Sequence, residues 1–126
     1  MSHVAIVDDE ESVRKALKRL LVASGFEVES YASGKEFLAT KDSPPDCVVL
    51  DLHMPDMSGL QVLEEMRASH RLRPTVVITA YDTSEARAQC LAAGASAYLR
   101  KPLDERVLLN SISASMAHAR TPTPKR

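Results

Sequence analysis

The chain carries almost no net charge. Sixteen Lys and Arg stand against seventeen Asp and Glu, a formal charge of -1, so the overall charge draws it neither to DNA nor to an anionic membrane. Long apolar runs are missing too: none approaches the ~20 residues that a membrane-spanning helix requires. The start, MSHVAIVDDE, lacks the basic stretch and apolar middle of a secretory signal. A cytoplasmic location is the expectation. Cysteine is scarce: Cys47 and Cys90 are the two present, both in apolar surroundings. They read as small core residues in a reducing compartment, not as a disulfide or a metal knuckle. There is no GxGxxG and no P-loop lysine motif. GASAY (94–98) lacks the last glycine of a GxSxG elbow, and its strand-then-helix order is reversed.

What is present suits one compact domain of 126 residues, with 44% hydrophobic and 26% charged residues. VAIV (4–7), CVVL (47–50), TVVIT (75–79) and AYL (97–99) are short, continuous apolar runs and read as buried strands. FEVESY (26–31) alternates, as an edge strand with one wet face does. Helical stretches lie between them. Val13, Ala16, Leu17, Leu20 and Leu21 form an apolar face, closed by Gly25 in the position of a left-handed cap. A short helix fits residues 34–40. Ser58 can cap a helix through Arg67 with Leu60, Leu63 and Met66 inward. Ser84 begins another, ending near Gly94, and KPLDE opens a last one with Leu108, Ile112 and Met116 on one face. Strand and helix alternate five times, which predicts an α/β, doubly wound parallel sheet covered on both faces. Residues 1–119 are expected to form this domain, and the tail from 120 to 126, RTPTPKR, to be a linker or a disordered terminus.

In such a sheet, ligands bind outside the carboxyl ends of the strands. Asp8 and Asp9 follow the first strand, Asp51 ends the third, Thr79 the fourth, and Lys101 follows the fifth. This gathers polar residues at one edge, where Asp51 is expected to be delivered to solvent. Close carboxylates repel by ~4 kcal/mol per pair at an effective dielectric of about 20. A hard divalent cation such as Mg²⁺ relieves that repulsion and keeps waters that a phosphate can displace. The set suits phosphoryl transfer onto a carboxylate, with Asp51 as nucleophile. Asp9, Asp51 and the backbone carbonyl of His53 would hold Mg²⁺ directly, with Asp8 nearby or acting through water.

IVDDE (6–10), VVLDLHMPDMSG (48–59), VVITA (76–80) and AAGASAYLRKP (92–102), in that order and spacing, resemble the receiver domain of bacterial two-component response regulators, with greatest likeness to the FixJ-like group. The resemblance covers residues 3–118. It implies a flavodoxin-like sheet of order 2-1-3-4-5 and a set of roles. Asp51 matches the phosphoacceptor, Asp8 and Asp9 the acidic Mg²⁺ pair, Thr79 the mobile hydroxyl, Lys101 the phosphate-binding lysine. Tyr98 matches an aromatic whose ring turns inward, Pro102 a proline commonly preceded by a cis peptide, and Ala80 a small residue that leaves the site open. His53 and Tyr81 occupy variable positions and are expected to modulate phosphoryl lifetime. The implied partners are a sensor histidine kinase, a second copy on phosphorylation, and DNA only through a separate output domain; no membrane is involved. The expected function is a signalling phosphoacceptor that assists its own phosphorylation and dephosphorylation. Its output is expected to be transcriptional; the alternative is a stand-alone receiver acting by protein–protein interaction.

Simpler readings stand beside these. Each Asp alone suits a helix or turn cap. His53 as a zinc ligand is less favoured than a solvent-facing side chain; His3, His70 and His118 lack ligand spacing and read as surface residues. Tyr98 alone suits plain core packing. An aspartyl-phosphate phosphatase is argued against by His53, because such enzymes often carry an acid two residues after the nucleophile.

Overall fold

The computed structural model describes residues 2–40 and 43–120. Its elements are β1 (His3–Val7), α1 (Glu11–Ala23), β2 (Glu27–Tyr31), α2 (Gly34–Ala39), β3 (Cys47–Asp51), α3 (Gly59–Ala68), β4 (Thr75–Thr79), α4 (Ser84–Ala92), β5 (Ala97–Arg100) and α5 (Glu105–Arg120). The strands pair in parallel in the order β2-β1-β3-β4-β5, the doubly wound sheet that the alternation predicts. Arg120 is the last residue of α5; the rest of the expected tail lies outside the described residues.

Successive side chains on a strand face opposite ways, and here each face has its own core. Val4, Ile6, Cys47, Val49, Val76 and Ile78 pack with Leu17 and Leu21 of α1 and Leu108, Ile112 and Met116 of α5. Ala5, Val7, Val48, Leu50, Val77 and Tyr98 pack on the other face with Phe37, Val62, Leu63, Met66 and Cys90. This explains why the central strands read as unbroken apolar runs. β2 is an edge strand, and Glu27 and Glu29 face solvent. Both cysteines are buried and unbridged.

Local chemistry sets the helix ends. Ser33, Ser58 and Thr83 each accept a backbone N–H at the start of α2, α3 and α4. The Gln61 side chain accepts the Ser58 N–H in turn, completing a capping box. Gly25 follows α1 at φ 95°. Three assignments of facing differ from the sequence expectation. Ala16 is exposed, Leu60 is half-buried while Val62 is fully buried, and His3 is half-buried within β1. The turn of α3 has a cause: its first residue, Gly59, lies against the end of β3, where an added Cβ would stand 2.5 Å from the Asp51 carbonyl oxygen. That approach brings the Gly59, Val62, Leu63 and Met66 stripe inward.

Candidate functional site

The register brings the acidic residues together. Val7 pairs with Leu50, so Asp8 leaves β1 beside Asp51 at the end of β3. One carboxylate oxygen from each of Asp8, Asp9 and Asp51 lies within 4.8 Å of the others. Lys101 reaches the same point from the loop after β5. Its Nζ donates to Asp8 Oδ2 at 3.1 Å and to Asp51 Oδ1 at 3.4 Å. The loop is anchored by Lys101 N–H donating to the Thr79 carbonyl at 2.7 Å, and the Lys101–Pro102 peptide is cis.

Asp51 does not face solvent as expected. It is 4% exposed, and Asp8 is wholly buried. Lys101 covers both from the β5 side, and Gly59 of α3 lies against the Asp51 backbone. Asp9 stays exposed. Burial, followed by the charge of Asp8, pushes the Asp51 carboxyl up to about 7, against the pull of Lys101. Burial works against the Lys101 ammonium, yet Asp51 and Asp8 outweigh it and raise its pKa. Three carboxylates beside one ammonium leave an excess of negative charge at a site where two of the carboxylates are buried. The donor set is all oxygen and anionic, and it fits a hard divalent cation.

The backbone beyond Asp51 is tightly turned. Asp56 takes a left-handed φ of 69°, Met57 N–H donates to the Pro55 carbonyl at 2.7 Å, and Gly59 N–H donates to the Leu52 carbonyl at 2.8 Å. His53, on this turn, is exposed, and its ring meets the Tyr81 ring edge-on at 5.4 Å between centroids. Tyr81 is 70% exposed. Thr79 is fully buried, and its hydroxyl oxygen accepts from Tyr81 N–H at 3.0 Å. Ala80 is exposed and presents only a methyl group. Tyr98 sits lower on β5, opposite Val77 and apart from the carboxylates.

Two arginines that no sequence motif marked make contacts of note, one at the carboxylates and one at Tyr98. Arg14 of α1 donates through Nη1 to the Asp8 carbonyl at 2.7 Å, pinning the link between the paired aspartates. Its place on the first turns of α1, six residues after Asp8, was a usable signal. Arg87 of α4 lies over the Tyr98 ring, and no sequence spacing announces that contact.

A family model described as the response regulator receiver domain matches residues 4–113. The chain is 36% identical over 116 residues to the transcriptional regulatory protein FixJ of Rhizobium meliloti (strain 1021), covering 91% of this chain and 57% of that protein. It is 36% identical over 105 residues to the regulatory protein AtoC of Escherichia coli (strain K12), covering 82% of this chain and 23% of that protein. The chain thus spans between 23% and 57% of the length of these curated relatives. Among solved structures, the crystal structure of FixJ-N superposes with a TM-score of 0.86 at 35% identity, covering 94% of this chain and 95% of that chain. The Vibrio cholerae chemotaxis protein CheY4 does so with a TM-score of 0.85 at 30% identity, covering 91% and 98%.

Proposed function

The chain belongs to the response regulator receiver domain family, in its FixJ-like group, and from that premise we propose that it accepts a phosphoryl group on Asp51 from a sensor histidine kinase. The observation that carries the reading is the meeting of Asp8, Asp9, Asp51 and Lys101 at one strand edge. A carboxylate oxygen of Asp51 attacks phosphorus. The P–N bond to the donor histidine breaks, its electron pair stays on the imidazole, and Asp51 becomes an acyl phosphate. Lys101, 3.4 Å from Asp51 Oδ1, follows the added charge of about -1.5 to -2. Thr79, whose oxygen accepts from Tyr81 N–H, keeps its own proton to donate to the phosphoryl group. The carboxylates of Asp8, Asp9 and Asp51 and the backbone carbonyl of His53 are the groups that would hold Mg²⁺. When bound, that ion supplies positive charge where the transition state gathers negative charge on the phosphoryl oxygens.

The engaged Thr79 and Lys101 then favour one arrangement of the loop after β4, and Tyr98 transmits it to the surface of α4, β5 and α5. Differential contact with the phosphoryl group is what shifts such an equilibrium. That surface binds an output partner, an output domain or a second copy of the chain. Residues 1–119 form the phosphoacceptor unit and the tail from 120 to 126 the link to an output, which is transcriptional, a reading supported by the name of the transcriptional regulatory protein FixJ. DNA is reached only through that output. A stand-alone receiver working by protein–protein contact is the second reading. The domain acts in the cytoplasm as a signalling phosphoacceptor that assists its own phosphorylation and dephosphorylation; among the described residues no helix is long and apolar enough to cross a membrane. His53, Ala80 and Tyr81 border the approach of the water that hydrolyses the acyl phosphate.

Incubation with acetyl phosphate and Mg²⁺, followed by intact-mass measurement, is expected to add one phosphoryl group to the chain and none to Asp51→Asn. Equal labelling of the two sinks the assignment. After donor removal, the label should decay at a different rate in His53→Ala and Tyr81→Ala, and unchanged decay removes both from the water path.

A further inference from the structure

Tyr98 lies on the sheet face covered by α4, two residues below the register of Thr79, since Val77 pairs with Tyr98 and Thr79 with Arg100. The residue is 5% exposed. Its hydroxyl is also buried and has no hydrogen-bond partner among the described residues. The Asp82 carboxylate and the Thr83 backbone stand near enough to bear on it, and neither forms a hydrogen bond of good geometry. An orphaned buried hydroxyl is unfavourable, so the polar end of the side chain does not hold the ring in place. Arg87 covers the ring instead. Its guanidinium carbon stands 5.4 Å from the ring centroid, within the reach of a cation–π attraction. Arg87 is exposed and sits one turn after Thr83, the residue that caps α4. Burial, with the Asp82 carboxylate next in effect, raises the Tyr98 phenol pKa, which keeps the ring neutral. The hydroxyl therefore opposes the inward position and Arg87 supports it. Removing a contact that favours one position shifts the population toward the other.

We infer that Arg87 is a positioning residue for the switch: it clamps Tyr98 beneath α4 and sets how much of the population holds the ring inward. The clamp follows from the geometry around Tyr98, and its consequence for phosphorylation rests on the reading of Asp51 and Tyr98 given above. A contact that runs from α4 to β5 couples the two elements directly, so the surface they share moves as one.

The chain has three tyrosines and no tryptophan, so Tyr31→Phe/Tyr81→Phe leaves Tyr98 as its only tyrosine, which excitation in the tyrosine band reads selectively. In that background, well below each variant's melting midpoint, acrylamide should quench the fluorescence weakly. Adding Arg87→Gln should raise the quenching constant about two- to fivefold, and Arg87→Lys should restore most of the protection, because an ammonium also sits well over a ring. Equal quenching before and after Arg87→Gln overturns the clamp, as does a rise that Arg87→Lys fails to reverse. Labelling of the same proteins by acetyl phosphate should be slowed by Arg87→Gln to a similar degree. If no protein is labelled, the parent chain included, the phosphoacceptor reading fails while quenching still decides the clamp. Normal labelling with unchanged quenching defeats the clamp alone.

Discussion

Asp51 is a carboxyl group placed where its ionised form is disfavoured. Its pKa rises from 3.8 to about 7, first through burial and then through Asp8. The folded chain therefore binds a proton there that the unfolded chain has already released. Stability from this group is complete below 3.8 and is lost as pH rises through about 7. In metal-free buffer, denaturant titrations should show stability falling across that window. Asp51→Asn should flatten the fall by up to about 4 kcal/mol. Parallel curves for the two proteins would show that Asp51 carries no such strain. The meeting of Asp8, Asp9, Asp51 and Lys101 was legible in the sequence, because strand ends of a parallel sheet emerge together. The depth of Asp51 was not legible, since it depends on how Lys101 and the turn from Leu52 to Ser58 fold about it. Nor were the His53–Tyr81 pair and the Arg87–Tyr98 contact, which are set by rotamers on separate elements.

Among elements, the junction of β3 and α3 is tightly packed. A Cβ on Gly59 would stand 2.5 Å from the Asp51 carbonyl oxygen and 2.9 Å from Leu52 Cα. Both are backbone atoms, so neither can swing aside. Gly59→Ala gains up to about 1 kcal/mol of helix propensity yet forces α3 away from the strand, and a net loss of about 1–3 kcal/mol is expected. Thermal melting checks it, and a variant as stable as the parent would mean that α3 slides without cost. Gly34 is held as closely from another side: the nearest atom there, at 2.5 Å, is a methyl of Val62, a fully buried β-branched side chain with little freedom at χ1. Element order and type were readable from apolar runs and turn residues alone. The facing of α3 was not: the spacing of Leu60, Leu63 and Met66 pointed to one stripe, and the contact at Gly59 selects the stripe that includes Val62.

For the molecule as a whole, the acidic edge is the place where a ligand can add stability to the entire fold. A cation bound by Asp8, Asp9 and Asp51 only when they are gathered stabilises the native state by mass action, about 2.7 kcal/mol at a hundredfold excess over its Kd. For a domain of this size that is about 10 °C in Tm. Melting in rising Mg²⁺ should show the increase, and Asp51→Asn should shrink it; an unchanged Tm in the parent chain would count against the metal site. The two-faced core explains why so much of this architecture follows from the sequence: the central strands β1, β3 and β4 need apolar residues in both directions, and few other folds ask for that.

The alternation that builds those two cores also links them at one edge. Asp51 follows Cys47 and Val49, which face α1 and α5, whereas Thr79 follows Val77, which faces α4 together with Tyr98. Both residues nevertheless end at the same carboxyl edge of the sheet, so a change at that edge bears on the α1–α5 core and on the core that holds Tyr98 and Cys90 at once.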